Sequence, residues 1–225
     1  MNALVARRWL RRSTTAGNGL IKVHSHPRSG THFALTFIGR NFYAGRELAI
    51  PRFEYGHWNN RRVDDSGNPY GRLVGSHRFP SRRFFTTNDP VVYIYRDGRA
   101  VVLSFFNTES FRDRAIENIG FSEYLRKRID WCGTPGNRAK AKWNLIQHWH
   151  AHVSAWHRYQ HHPKLLMIRY EQLVADPVAV ANQLERKFFP EATQQRGRPL
   201  QFEDIDPVRE PLGLKPNAAR PHAWK

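Results

Sequence analysis

One stretch constrains the fold more than any other: Ile21-Lys22-Val23-His24-Ser25-His26-Pro27-Arg28-Ser29-Gly30-Thr31-His32-Phe33. A short run containing β-branched residues stops at a proline. A cation, a hydroxyl, a glycine and a second hydroxyl follow, and then an apolar pattern of helical period begins. Strand, tight loop and helix start in that order point backbone N–H groups and a helix N-terminus at an anion. Arg28 adds a cation beside them, so a phosphate- or sulfate-bearing ligand is the expectation. The loop departs from the pattern G-x-x-x-x-G-K-[ST], because the early glycine is missing and the cation precedes the glycine. A plain strand–helix turn is the structural alternative.

A chain of 225 residues fits one domain. Residues 1–19 read as a basic N-terminal arm and residues 20–225 as the domain, with 191–225 irregular. An apolar content of 40%, with seven Trp and fourteen Phe, is enough for a sizeable core and argues against global disorder. The net charge of +17 attracts anions over a distance. It does not choose between nucleotides, nucleic acid, acidic sugars and membrane surface. Cys132 is the single cysteine, so neither an intramolecular disulfide nor a cysteine zinc cluster can form. That suits a reducing compartment, and a cytoplasmic location is expected. Arg7, Arg8, Arg11 and Arg12 precede the first acid, Glu47, a composition similar to a transit peptide, which stays open as the alternative. No run approaches the roughly 18 apolar residues of a membrane span.

Apolar patterning alternates between two types. Residues 21–24 read as a strand, and Phe33, Phe37, Ile38 and Phe42 mark one face of a helix that Gly45 would stop. Residues 46–70 are rich in Pro, Gly, Asn and Asp and read as loop. Leu73-Val74-Gly75 is a weak strand ending at Ser76-His77. Val91-Val92-Tyr93-Ile94-Tyr95 is a continuous apolar strand of the kind buried on both faces of a parallel sheet. Residues 99–107 read as a helix, and 111–129 as mostly helix with a break near Gly120. Gly133-Thr134-Pro135-Gly136-Asn137 is a turn. Residues 142–159 read as a long helix with Leu145, Trp149, Val153 and Trp156 on one stripe. Residues 165–168 form a third strong strand. Asp176 caps and Pro177 starts a helix carrying Val178, Ala181, Leu184 and Phe188. Strands alternating with helices predict a single α/β domain with a mostly parallel β-sheet flanked by helices. Ligands bind beyond the carboxyl ends of such strands, where Arg28, Arg96 and Tyr170 all fall.

The second loop, Tyr95-Arg96-Asp97-Gly98-Arg99, places an Arg at a strand end, and Ser104 follows about two helical turns later. An Arg and a hydroxyl so placed suit a second phosphate; Arg96 pairing with Asp97 is the bland alternative. Together the two loops resemble those of sulfotransferases that use 3′-phosphoadenosine 5′-phosphosulfate (PAPS). That family reads P-[KR]-S-G-T-T/S-W at one loop and strand-R-[DN]-x-[RK]-D/A-x-x-x-S at the other. Phe121-Ser122-Glu123-Tyr124-Leu125, the glycine turn, the His148-to-Trp156 helix and Leu165-Leu166-Met167-Ile168-Arg169-Tyr170-Glu171-Gln172-Leu173 before Asp176-Pro177 agree with it in order. The likeness spans residues 20–190 and implies a P-loop-like sulfotransferase fold.

By position, the resemblance implies that Arg28, Ser29, Gly30, Thr31 and His32 hold the 5′-phosphosulfate and that Arg96 and Ser104 hold the 3′-phosphate. Phe33 takes the place of a Trp that contacts adenine, and Tyr170 that of a Tyr near the base. His77, in Gly75-Ser76-His77-Arg78-Phe79-Pro80, matches the catalytic base; Glu47 and Glu54 are the weaker candidates. Arg28 would neutralise the leaving oxygen. Arg220, in Arg220-Pro221-His222-Ala223-Trp224-Lys225, matches a shortened, glycine-free form of the family's nucleotide-covering loop. His32 replaces a hydroxyl residue, and Phe33 a Trp. The partners implied are PAPS or its product 3′-phosphoadenosine 5′-phosphate (PAP), and a hydroxyl-bearing small-molecule or carbohydrate acceptor. Arg61-Arg62 and Arg82-Arg83 suit an anionic acceptor. Nucleic acid and a metal are not expected, although His148, His150 and His152 have the look of a metal box. A P-loop nucleotide kinase and a non-catalytic basic nucleotide- or nucleic-acid-binding protein are the alternatives. The first should show a Walker lysine; the second does not account for Arg28 and Arg96 both following strands.

Overall fold

The computed structural model describes residues 21–42, 75–86, 88–107, 119–129 and 143–208. In chain order the elements are β1 (Lys22–Ser25), α1 (Thr31–Phe42), β2 (Gly75–Ser76), a 3-10 turn (Arg82–Phe85), β3 (Val91–Tyr95), α2 (Gly98–Phe106), α3 (Phe121–Arg126), β4 (Arg128–Ile129), β5 (Trp143–Asn144), α4 (Leu145–His157), β6 (Leu165–Arg169), α5 (Tyr170–Ala175), α6 (Pro177–Phe188), α7 (Pro190–Arg196) and a second 3-10 turn (Phe202–Asp204). β1, β2, β3 and β6 make one parallel sheet in the order β2-β1-β3-β6. His24 lies opposite Ser76, Ser25 opposite Ile94, and Tyr95 opposite Arg169. All four strands therefore end at the same edge of the sheet.

Strand side chains alternate between two covered faces. Val23, Val92, Ile94 and Ile168 pack with Phe37 and Ile38 of α1 and with Ala181 and Leu184 of α6. Val91, Tyr93 and Leu165 face the other way, onto Phe85 and Trp156. With both faces buried, the strands carry the continuous apolar runs seen in the sequence. A separate cluster of Val101, Val102, Phe105, Tyr124 and Leu145 ties α2, α3 and α4 together. The buried face of α6 is Val180, Ala181, Leu184 and Glu185, one step round from the expected stripe.

Local signals set the boundaries. Asp97 accepts from the Arg99 N–H and caps α2, and Asp176 accepts from the Ala179 N–H with Pro177 in the first turn of α6. Such caps stabilise by about 1 kcal/mol each. Asn144 and Gln147 form a reciprocal capping box, which is why α4 starts at Leu145 and not at 142.

Two sequence expectations are corrected. The helix expected through Ile129 stops at Arg126, and Arg128–Ile129 pairs antiparallel with Trp143–Asn144. The irregular tail expected from 191 onward opens with α7, which ends on Gly197 at φ 72°. No apolar stripe announces α7, because polar contacts hold it. The buried Glu185 carboxylate of α6 accepts from Thr193 at 2.8 Å and from Arg196. Gly45, Leu73, Val74, the 46–70 loop and the 133–137 turn lie outside the described residues. Among the described residues no helix is long and apolar enough to cross a membrane.

Candidate functional site

The residue after each strand of the parallel sheet is His26, His77, Arg96 or Tyr170. Between β1 and α1 the backbone turns left-handed at Arg28 (φ 65°) and again at Gly30 (φ 87°). A positive φ at a non-glycine residue is uncommon and is found where structure around it enforces it, often at functional sites. Ser29 N–H returns to the His26 carbonyl at 3.2 Å, so the N–H groups that could meet an anion are those from Gly30 into the first turn of α1. Ser25 Oγ and Thr31 Oγ1 lie 2.5 Å apart. Ser29 Oγ is fully buried and meets no hydrogen-bond partner among the described residues. A buried orphan hydroxyl in a loop of this shape suits a ligand oxygen.

Tyr170 closes one side of the loop. A Cβ built on Gly30 would lie 2.1 Å from Tyr170 Cδ2, so glycine is required there. The Arg96 guanidinium sits 4.8 Å over the Tyr170 ring, a cation–π contact. Phe33 is buried and meets Tyr170 edge-on at 5.9 Å. Arg28 reaches across to α2, where its Nε donates to Ser104 Oγ at 3.0 Å. Arg96 Nη1 points at the Arg28 carbonyl at 3.5 Å. The structure therefore brings Arg28, Arg96, Ser104 and Tyr170 into one constellation. Burial lowers the pKa of both guanidiniums, and the nearby Arg96 charge lowers Arg28 further. Asp97 is committed elsewhere, to Arg99 Nη2 at 2.6 Å and to the α2 cap. Its charge also favours the protonated Arg96, after those of Tyr170 and Glu171.

His77 projects from the end of β2. Its Nδ1 lies 2.9 Å from the Ser25 carbonyl and 3.3 Å from Ser25 Oγ. A carbonyl only accepts, so Nδ1 carries the hydrogen and Nε2 is the basic nitrogen. Burial holds the His77 pKa down at about 4, against the Ser25 hydrogen bond that raises it, and His32 lowers it further. His32 is itself lowered to about 4, by burial and then by Arg28. Both imidazoles are neutral at pH 7. Among the described residues no group of three or more His, Cys, Asp or Glu is arranged to hold a metal. His148 and His152 turn into the core and His150 outward. Arg82 is exposed. Glu47, Glu54, Arg61, Arg62 and Arg220 lie outside the described residues.

The model of the family described as Sulfotransferase domain matches residues 21–195. The chain belongs to that family. No curated protein sequence matches it. Among solved structures, retinol dehydratase in complex with androsterone and inactive cofactor PAP is similar over 83% of this chain and 62% of that one, at 18% identity and a TM-score of 0.53. Mouse sulfotransferase SULT7A1 complexed with PAP matches at 17% identity over 82% of this chain and 60% of that one, TM-score 0.48. A sulfotransferase from Alicyclobacillus acidocaldarius matches at 15% identity over 88% and 87%, TM-score 0.47. This chain spans about three fifths of the length of the first two. The retinol dehydratase likeness shows the fold: a single α/β domain of the sulfotransferase type, as the strand–helix alternation predicts.

Two supports of this site were not singled out in the sequence. Glu171 Oε1 accepts from the Asp97 N–H at 2.9 Å, and Trp149 Nε1 donates to the Arg96 carbonyl at 3.2 Å. They clamp the loop after β3 from α5 and from α4. The signal was present for Trp149, which lies on the predicted stripe of α4, but periodicity says nothing about where an indole N–H points.

Proposed function

We propose that the chain transfers a sulfuryl group from PAPS to the hydroxyl, or amine, of a small-molecule or carbohydrate acceptor, with His77 as general base. One observation carries the reading. Two guanidiniums that repel each other, Arg28 and Arg96, are gathered with the α1 N-terminus beyond the strand ends. Charges of one sign held together in partial burial raise the free energy of the protein alone, an effect that Glu171 and Asp97 offset in part at Arg96, and a polyanion relieves it. The orphan Ser29 hydroxyl and the Gly30–Tyr170 contact fit a phosphate-bearing donor on the same side.

The donor supplies the sulfuryl group and a phosphate leaving group. Arg28, with the N–H groups from Gly30 onward, opposes the charge that grows on the leaving oxygen. Arg96 and Ser104 engage the 3′-phosphate. His77 Nε2 takes the acceptor's proton as the oxygen–sulfur bond forms. The Ser25 carbonyl holds that ring in the Nδ1–H tautomer that makes this possible. Fixed guanidiniums carry out the charge stabilisation for which phosphoryl-transfer enzymes use a metal.

Thermal shift tests the donor. PAP at a hundredfold excess over its Kd stabilises by about 2.7 kcal/mol, a rise of roughly 5–10 °C for a chain of this size. Adenosine 5′-phosphate, lacking the 3′-phosphate, should give clearly less; equal shifts, or none, remove Arg96 and Ser104 from their role. For the base, labelled PAPS is offered to a panel of alcohols, phenols and carbohydrates. His77→Ala should lower transfer by about 10²–10⁴-fold and keep the PAP shift; undiminished transfer removes His77 as base.

A further inference from the structure

α4 carries His148 and His152 one turn apart, and both are buried, 1% and 0% exposed. Each stands at the root of a hydrogen-bond line that ends on a different wall of the site. On the first line, His26 Nδ1 lies 2.9 Å from the Pro27 carbonyl. That nitrogen must donate, so in the neutral ring Nε2 accepts. Its donor is His148 Nδ1, at 2.9 Å. On the second line, His152 Nε2 lies 3.3 Å from the His77 carbonyl and donates to it. His152 Nδ1 then accepts from the Tyr93 hydroxyl at 2.8 Å. Tyr93 is on the central strand β3, so the second line fixes the β2 end to the middle of the sheet.

These roles need a neutral ring at His26 and at His152, where one nitrogen accepts, and burial favours the neutral state in His26, His148 and His152. A packing role alone does not call for them. Four ring nitrogens buried for packing offer nothing that apolar rings of similar shape would not, since replacing both partners of a buried hydrogen bond by apolar groups is close to neutral. A metal does not fit either: His152 uses both nitrogens on protein atoms, and the rings of His148 and His152 stand 6.1 Å apart.

We propose that His148 and His152 are positioning residues with separate targets. His148, through His26, sets Pro27 and the anion loop that follows it. His152, with Tyr93, sets the backbone of His77 and so the direction of its Nε2. The assignment rests on the sulfotransfer reading for what the two walls do, but not for the contacts themselves.

The test pairs PAP binding by calorimetry with ring 15N–1H spectra of His77, assigned by difference against His77→Asn. His148→Leu should weaken PAP on the order of tenfold, as a displaced anion loop does, and leave the His77 ring signals in place. His152→Leu should shift the His77 ring signals and leave the PAP Kd within about twofold. Glutamine at either position, which can still donate from its amide, should recover most of the loss. If a leucine variant fails to fold, Tyr93→Phe removes one oxygen, which also hydrogen-bonds the His26 backbone, and should move the His77 signals. Equal effects of both lines on both readouts, a His77 ring unmoved by His152→Leu and Tyr93→Phe, or no recovery with glutamine would overturn the proposal. Absence of PAP binding in the unmodified protein counts against the sulfotransfer reading instead, and the His77 spectra still decide the second line.

Discussion

Acidification from pH 7 toward pH 4.5 is expected to unfold the protein. His26, His148 and His152 lie together in the interior, and the fold holds each neutral. Burial is the main cause in all three, and their mutual repulsion adds to it for His26 and His152. The sign follows from linkage. Between an unfolded pKa of 6.5 and a lower folded one, the unfolded chain binds protons that the native chain refuses, so stability falls with pH. Each such imidazole withdraws about 1.4 kcal/mol per pH unit. For His148, from 6.5 down to about 4, that amounts to about 3 kcal/mol. His26 and His152, lowered well below 6.5 by burial first, act in the same direction. The typical stability of a domain is about 5–15 kcal/mol, so His148 alone withdraws a sizeable share of it, and His26 and His152 add to the loss. Thermal melts from pH 8 to pH 4 in 0.5 M salt, where repulsion from the net charge of +17 is screened, should be level above pH 7 and fall steeply below pH 6. His148→Leu should flatten the fall by about one proton. A Tm that stays level to pH 4.5 would contradict the assignment of neutral rings.

This histidine cluster also marks the limit of what the sequence discloses. The parallel sheet, its three principal strands and the helices after them follow from apolar period and from the Asp176–Pro177 helix start. Those signals are local, and the chain obeys them. The meeting of Arg28 with Ser104 across 76 positions is foreseeable only because loops after parallel strands share one edge of a sheet. The histidines give no such cue. His148 and His152 share a helical face, which suggests a metal pair, and only the positions of His26, Tyr93 and His77 turn that pair into two hydrogen-bond lines. Local period misleads at residues 128–129 and 143–144 for the same reason. A two-residue ladder is stabilised by its partner strand and leaves almost no mark on its own sequence. α7 escapes notice because its anchor is Glu185, a buried carboxylate on another helix.

Gly30→Ala should disable the site and destabilise the domain together. Two independent costs arise at this residue. Its φ of 87° is a conformation that L side chains rarely adopt, at a cost of roughly 1–2 kcal/mol. Its Cβ would also fall 2.1 Å from Tyr170 Cδ2 and 2.6 Å from Cε2. Tyr170 is 1% exposed, packed against Phe33 and beneath the Arg96 guanidinium, so the ring cannot withdraw without moving both. Overpacking of that kind costs about 1–3 kcal/mol. The sum, about 2–5 kcal/mol, corresponds to a fall in Tm of roughly 4–20 °C. A displaced Tyr170 carries Arg96 with it and opens the distance to Arg28, so the thermal shift with PAP should vanish in the variant. The cause is separable. Tyr170→Ala removes the clash and keeps the strained φ, so Gly30→Ala with Tyr170→Ala should be less destabilised than the two single changes added together. Strict additivity would mean that the glycine serves backbone conformation alone and that Tyr170 does not close the loop.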